Sequence, residues 1–241
     1  MSKRFLVFQH MPWEGPGRHL IRSAKKLNVY LHIIEVWHQP IPDIGSYEGL
    51  LVLGGGPNVD QEDLYPFLSE EKEIIRNVIK RDMPYMGFCL GHQLLADVLG
   101  AEVGPNLMYS VGFIEGKLTQ KGSGHPLFRD IPGSFPLFKW HSQAVLQPLS
   151  KHIEVLAISR DCEVEAISLE GRPHIVGFQF DNHAADYEDA EKWLREDREW
   201  LTALPPPMVD PACVLADARR LETVMEKQFE ILFRNYIEII T

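Results

Sequence analysis

Short apolar runs alternate with amphipathic stretches through the first hundred residues. Residues 4–9, with Phe5-Leu-Val-Phe8 at their centre, are a short apolar run that reads as a buried strand. His10-Met-Pro-Trp-Glu-Gly-Pro-Gly17 then holds two prolines and two glycines and reads as a loop. Residues 18–26 predict a helix. Residues 30–36, rich in β-branched side chains, predict a second strand. The apolar run at 50–53 predicts a third strand that leads straight into Gly54-Gly-Gly-Pro57. Residues 70–81 place Ile74, Ile75, Val78 and Ile79 at helical spacing. A strand at 84–87 and a helix at 90–99 follow. Strands that alternate with helices predict a three-layer α/β fold: an open, mostly parallel sheet with helices on both faces.

The pattern changes after residue 110. Residues 113–119 and 153–169 are strand-rich and bounded by Gly, Pro and Ser, which predicts a mixed or antiparallel part beside the parallel sheet. Residues 175–180 form another dense apolar strand, and 186–201 read as one charged amphipathic helix. Pro205-Pro-Pro207 is a stiff break. Residues 210–240 are mostly helical, with Asp210-Pro211 as cap and first-turn proline. This divides the chain into a domain at 1–204 and a helical extension at 205–241 packed on that same domain.

Composition narrows the function classes. The chain has 241 residues, of which 45% are hydrophobic, enough for a sizeable core. The net charge of −10 argues against a nucleic-acid backbone as partner. No apolar run is long enough to span a membrane, and the stretch after Met-Ser-Lys-Arg is too short for a secretion signal. The three cysteines, Cys89, Cys162 and Cys213, are widely spaced and odd in number. That argues against a disulfide framework and a zinc site. These features point to the cytoplasm and call for no cofactor and no metal.

The candidate chemistry lies in Met86-Gly-Phe-Cys-Leu-Gly-His-Gln93. One cysteine between two glycines, after a strand and before a helix, is the pattern of a nucleophile elbow. Taken alone, Cys89 could equally be a small buried hydrophobe; the glycine frame favours the elbow. At a helix N-terminus its thiolate is expected to be favoured over the thiol. Gly54-Gly-Gly-Pro-Asn58 also follows a strand. It lacks both common phosphate-loop patterns, so it reads as an oxyanion hole or a tight turn. Ligands of open α/β sheets bind at the carboxyl ends of strands. If the two strands are neighbours, a glycine N–H and the Leu90 N–H converge on one oxygen.

Together these segments resemble the class I glutamine amidotransferases over nearly the whole chain. Leu51-Val-Leu-Gly-Gly-Gly-Pro57 looks like that family's oxyanion strand, and Gly87-Phe-Cys-Leu-Gly-His-Gln-Leu-Leu-Ala96 like its nucleophile motif. Lys139-Trp-His-Ser-Gln143 occupies the place of a loop that lines the glutamine site, and Gly177-Phe-Gln-Phe180 is similar to the strand before the catalytic histidine. The resemblance implies a flavodoxin-like fold with a helical C-terminal extension. It also implies hydrolysis of the side-chain amide of glutamine, or of a γ-glutamyl amide, through a thioester on Cys89. By the same resemblance, Gly56 and Leu90 form the oxyanion hole. Gly55, Gln93 and the backbone at Ser142 and Gln143 bind substrate. His92 is structural, and His141 is a hydrogen-bonded loop residue. The ammonia passes to a synthetase partner; a second copy of the chain is the other partner left open.

One motif departs from the pattern. The family's G-x-Q-F-H-x-E reads here Gly177-Phe-Gln-Phe-Asp-Asn-His183. Asp181 replaces the catalytic histidine and His183 replaces the glutamate that orients it. A carboxylate of pKa about 4 is a poor acceptor for a thiol proton of pKa about 8.5. In an extended strand, residues i and i+2 face the same side roughly 6.5 Å apart. His183 is therefore expected to reach Cys89 if the chain bends after Phe180, with Asp181 orienting it. The alternative is a catalytically impaired relative that keeps the pocket as a binding or regulatory module.

Overall fold

The computed structural model describes residues 3–241; Met1 and Ser2 of the N-terminal segment lie outside the described residues. The elements run β1 (Lys3–Gln9), α1 (Gly17–Lys26), β2 (Val29–Glu35), β3 (Gly49–Val52), α2 (Phe67–Lys80), β4 (Tyr85–Phe88) and α3 (Leu90–Val98). They continue β5 (Val103–Leu118), α4 (Gln120–Gly124), β6 (Ser134–Val145), β7 (Ile153–Ser159), β8 (Ala166–Leu169) and β9 (Arg172–Phe178). Three helices close the chain: α5 (Tyr187–Glu196), α6 (Arg198–Ala203) and α7 (Pro211–Ile239).

One nine-stranded sheet carries the order β2-β1-β3-β4-β9-β8-β7-β5-β6. The first five of these strands run parallel to their neighbours, and the pairs from β9 outward are antiparallel. The inner strands β1, β3 and β4 are buried on both faces, which is why they read as apolar runs, whereas the edge strand β2 is partly exposed. Along β1, Phe5 and Val7 enter one core with Phe229 and Phe233 of α7. Leu6 and Phe8 enter the opposite core with Ile75 of α2 and Leu94 of α3. The two-residue period of the strand thus serves both helical layers.

Three stretches differ from the reading of the sequence. Residues 139–143 are strand, not loop. β6 pairs with β5 through Gly112↔Lys139, Val111↔Trp140 and Ser110↔His141, with a bulge between Pro105 and Ser110. The ladder supplies order that this polar run does not announce. Residues 186–201 are two helices. Asp197 leaves helical geometry at φ −92° and ψ 17° between α5 and α6. Its carboxylate accepts hydrogen bonds from the indoles of Trp13 and Trp140 at 2.9 and 2.8 Å. Finally, α2 starts at Phe67, several residues ahead of its first periodic position, because Pro66 already holds φ −58° and opens the turn.

α7 begins as the sequence implies, with Asp210 accepting from the Ala212 N–H and Pro211 in the first turn. It buries Val214, Ala218, Met225, Phe229, Leu232, Phe233 and Tyr236. Each buried phenylalanine contributes roughly 2–3 kcal/mol. Asn235, also buried, donates to the carbonyls of Leu127 and Arg129 at 3.0 and 2.7 Å. No helix of the described residues is long and apolar enough to cross a membrane. Because Asn235→Leu strands two buried carbonyls, it is expected to cost about 2 kcal/mol. A urea titration should show the midpoint falling at unchanged slope.

Candidate active site

β4 ends at Phe88, and α3 starts two residues later at Leu90. Cys89 makes the whole turn by itself, at φ +43° and ψ −101°. A non-glycine residue held there stores about 1–3 kcal/mol of strain. Its surroundings hold it in place. The Cys89 N–H donates to the Phe178 carbonyl at 2.8 Å, extending the β4–β9 ladder by one residue. A Cβ on Gly91 would lie 2.2 Å from the Val52 carbonyl oxygen, and one on Gly87 would lie 2.5 Å from Gly91. Only glycine fits at either place, which is the physical content of the G-x-C-x-G frame.

β3 and β4 are neighbours, so the Gly54–Gly56 loop and the elbow share one edge of the sheet. His10 pins that loop. It donates to the Gly54 carbonyl at 2.8 Å and bonds Glu71 at 3.0 Å, fully buried. Burial alone would lower the pKa of His10; the Glu71 carboxylate overcomes this and raises it. Both ring nitrogens of His10 therefore act as donors. Gly55 lies against Leu90, whose Cδ2 is 3.2 Å from where a Gly55 Cβ would stand.

The thiol sits in an acidic setting. From the point where a Gly54 Cβ would lie, Glu14 Oε2 is 3.1 Å away, Cys89 Cβ 3.4 Å and Asp181 Oδ1 3.5 Å. Burial pushes the Cys89 thiol well above its ordinary value, and the charges of Asp181 and Glu14 push the same way. Lys139 and the Leu90 N–H pull it down by less. The expectation of a thiolate favoured by the helix N-terminus is thus corrected: desolvation and two carboxylates outweigh one N–H. Lys139 itself is fully buried and paired with Glu165, so part of its field is cancelled.

The expected reach of His183 is also corrected. β9 ends at Phe178, and Asn182–Ala184 form a 3-10 turn, so the i, i+2 rule of an extended strand does not apply. His183 Nδ1 donates to the Pro16 carbonyl at 2.8 Å. Its Nε2 stands 3.4 Å from Asp181 Oδ1, an ion-pair distance without hydrogen-bond alignment. Its ring packs on Phe88 with centroids 4.4 Å apart. Asp181 is the member of the pair whose charge acts on Cys89, and the imidazole stands behind it. Burial raises the pKa of Asp181, against the opposing pull of His183 and Lys139.

A cavity of about 290 Å³ opens above Cys89. Gly55, Gly56, Gln93, Ser142 and Gln143 are among the residues that line it. Gln93 Nε2 donates to the Gln143 carbonyl and to Gln179 Oε1, both at 3.1 Å. Gln179 Nε2 in turn approaches Cys89 Sγ at 3.6 Å. His141 also lines the cavity; burial holds its pKa well below the ordinary value, so it is neutral. His92 is buried with a pKa of about 3, a packing residue. The sequence reading missed Glu14, Asp197, Trp140 and Trp200, which also line the cavity, as do Met11, Pro57 and Asn58. Only Glu14 carried a usable signal, as an acidic residue at the carboxyl end of a parallel strand. No group of His, Cys, Asp or Glu among the described residues is placed to hold a metal ion.

Fold and elbow together define an α/β protein of the nucleophile-elbow class. The family described as glutamine amidotransferase class-I matches residues 17–183. A GMP synthase (glutamine-hydrolysing) chain of Methanosphaera stadtmanae, one component of a multi-subunit enzyme, is 32% identical over 174 residues, 69% of this chain and 82% of that one. Its counterpart from Archaeoglobus fulgidus is 32% identical over 66% of this chain and 79% of its own. Among solved structures, a glutamine amidotransferase from Thermotoga maritima superposes with a TM-score of 0.87 at 23% identity, over 99% of both chains. One from Methylobacillus flagellatus gives 0.88 at 22% identity, over 100% of this chain and 96% of that one. This chain belongs to the class I glutamine amidotransferase family.

The carboxylates beside Cys89 set a testable reactivity. Removing the Asp181 charge in Asp181→Asn should lower the thiol pKa and speed alkylation of Cys89 by iodoacetamide at neutral pH. The gain is about tenfold for each unit the pKa falls. Mass spectrometry of the Cys89 peptide separates this from reaction at exposed Cys213.

Proposed function

We propose that the protein hydrolyses the side-chain amide of glutamine, or of a γ-glutamyl compound, through a thioester on Cys89. The observation that carries this reading is the strained elbow cysteine beneath a cavity lined by Gly55, Gly56, Gln93, Ser142 and Gln143. The family membership supports the same chemistry.

The thiol is not stored as thiolate, so its proton moves as the C–S bond forms. Asp181 is the acceptor. Burial raises its pKa, which makes it a better proton acceptor than an exposed carboxylate. The transfer also moves a negative charge from Asp181 to the substrate without creating a new one, so burial penalises it less. His183, anchored by Pro16, positions Asp181. The N–H groups of Gly56 and Leu90 receive the oxyanion. The tetrahedral intermediate collapses, the C–N bond breaks, and the nitrogen leaves with the proton from Asp181. Water then attacks the thioester and restores the thiol, releasing glutamate.

Gln93 Nε2 is committed to Gln143 and Gln179. Its Oε1 is left to accept from the substrate α-ammonium, and the backbone at Ser142 and Gln143 holds the α-carboxylate. The curated relatives are named as subunits of a glutamine-hydrolysing synthase. That supports a synthetase partner as the acceptor of ammonia here. The three unpaired cysteines support a reducing compartment, the cytoplasm.

Ammonia release from glutamine and γ-glutamyl amides by the purified protein tests this reading. Cys89→Ala should abolish turnover, and Asp181→Asn should lower kcat roughly 10²–10⁴-fold. Glutamine binding with no turnover above the Cys89→Ala background would overturn it in favour of a binding module.

A further inference from the structure

The wall of the cavity that the glutamine reading leaves unused is acidic and aromatic. Glu14 is buried, with 8% of its surface exposed, and lines the cavity beside Cys89. It makes no hydrogen bond and no ion pair with any described residue. Burial and repulsion from Asp197 and Asp181 hold its carboxyl well above the ordinary range, so its ionised form needs a cation beside it. Asp197 lines the same wall, held rigid by the two indole N–H groups of Trp13 and Trp140. The rings of Trp140 and Trp200 stand beside it with centroids 6.3 Å apart. The cavity lining contains no lysine or arginine, and its histidine is neutral. A zwitterionic amino acid brings no second cation to this wall; a ligand with one further positive charge favours the ionised form of Glu14 and pairs with it. Indole faces add to the attraction for an ammonium group.

We infer that the Glu14–Asp197–Trp200 wall receives a cationic amine carried on the leaving nitrogen, so that the preferred substrate class is a γ-glutamyl amide of a diamine or polyamine. The inference rests on the proposed amide hydrolysis. The γ-glutamyl end occupies Gln93 and the β6 backbone, as for glutamine. The amide nitrogen then departs toward Glu14, which neighbours the elbow.

The test compares three γ-glutamyl amides of equal chain length: one of a four-carbon diamine, one of butylamine and one of the corresponding ω-amino acid. Their γ-glutamyl parts are identical, so the α-ammonium is constant. The expected result is a kcat/KM for the diamine amide at least about tenfold above that for the butyl amide, the worth of one charged hydrogen bond, with the ω-carboxylate amide poorest. Glu14→Gln should collapse the diamine-to-butyl ratio toward unity. Trp200→Leu should lower it in part, and that variant keeps the test alive should Glu14→Gln fail to fold. Glutamine turnover with no preference among the three amides would overturn the inference and leave the amidase reading standing. So would a Glu14→Gln loss that is equal for all three, which would assign Glu14 to the α-ammonium. If no amide is hydrolysed, calorimetry of the free four-carbon diamine on the Cys89→Ala protein decides. Binding lost on adding Glu14→Gln sustains the cation site while the amidase reading falls, and no binding overturns both.

Discussion

The site depends on one close approach: the start of α3 lies so near β3 that a single methyl group on Gly91 would strike the Val52 carbonyl. That contact sets the height of α3 above the sheet. Cys89 must then turn the chain alone, at positive φ. Its N–H remains in the β9 ladder while its side chain leaves the strand. The same approach sets Leu90 against Gly55. Elbow, glycine loop and cavity floor are consequences of one packing distance.

Electrostatics around the sulfur run against the usual logic of a cysteine nucleophile. An imidazolium would stabilise a thiolate in advance; here buried carboxylates keep the thiol protonated. The arrangement is coherent only if proton and carbon-bound charge move together. Burial that raises the proton affinity of both Asp181 and Cys89 suits that kind of transfer. Lys139 supplies a modest counterweight from inside the sheet, reduced by its own pairing with Glu165.

The parallel half of the fold was legible because its inner strands are buried on both faces and read as apolar runs, while the edge strand β2 is marked by its β-branched residues. The elbow was legible because its glycines answer a local steric demand. β6 was not legible. Its polar residues Lys139, His141 and Ser142 take strand geometry from the ladder with β5, and Lys139 is tolerated in the interior only through Glu165, far along the chain. The break at Asp197 lacks glycine or proline and is held by two indoles from remote segments. His183 was misplaced by a strand rule applied beyond the end of the strand. What the sequence concealed was in each case a partner distant in the chain.

The cavity has two sources. Its floor, with Cys89, Gln93 and Gly55, comes from residues 17–183, the stretch that matches the family. Glu14, Trp13, Asp197 and Trp200 all lie outside that stretch, in two flanks joined where Asp197 accepts from the Trp13 indole and Lys192 donates to the Pro12 carbonyl. The floor that holds the nucleophile and the acidic, aromatic wall above it therefore come largely from different stretches of the chain. The two are not independent: a change of flank that removed Glu14 would reshape the wall and relieve the charge on the Cys89 thiol in the same step.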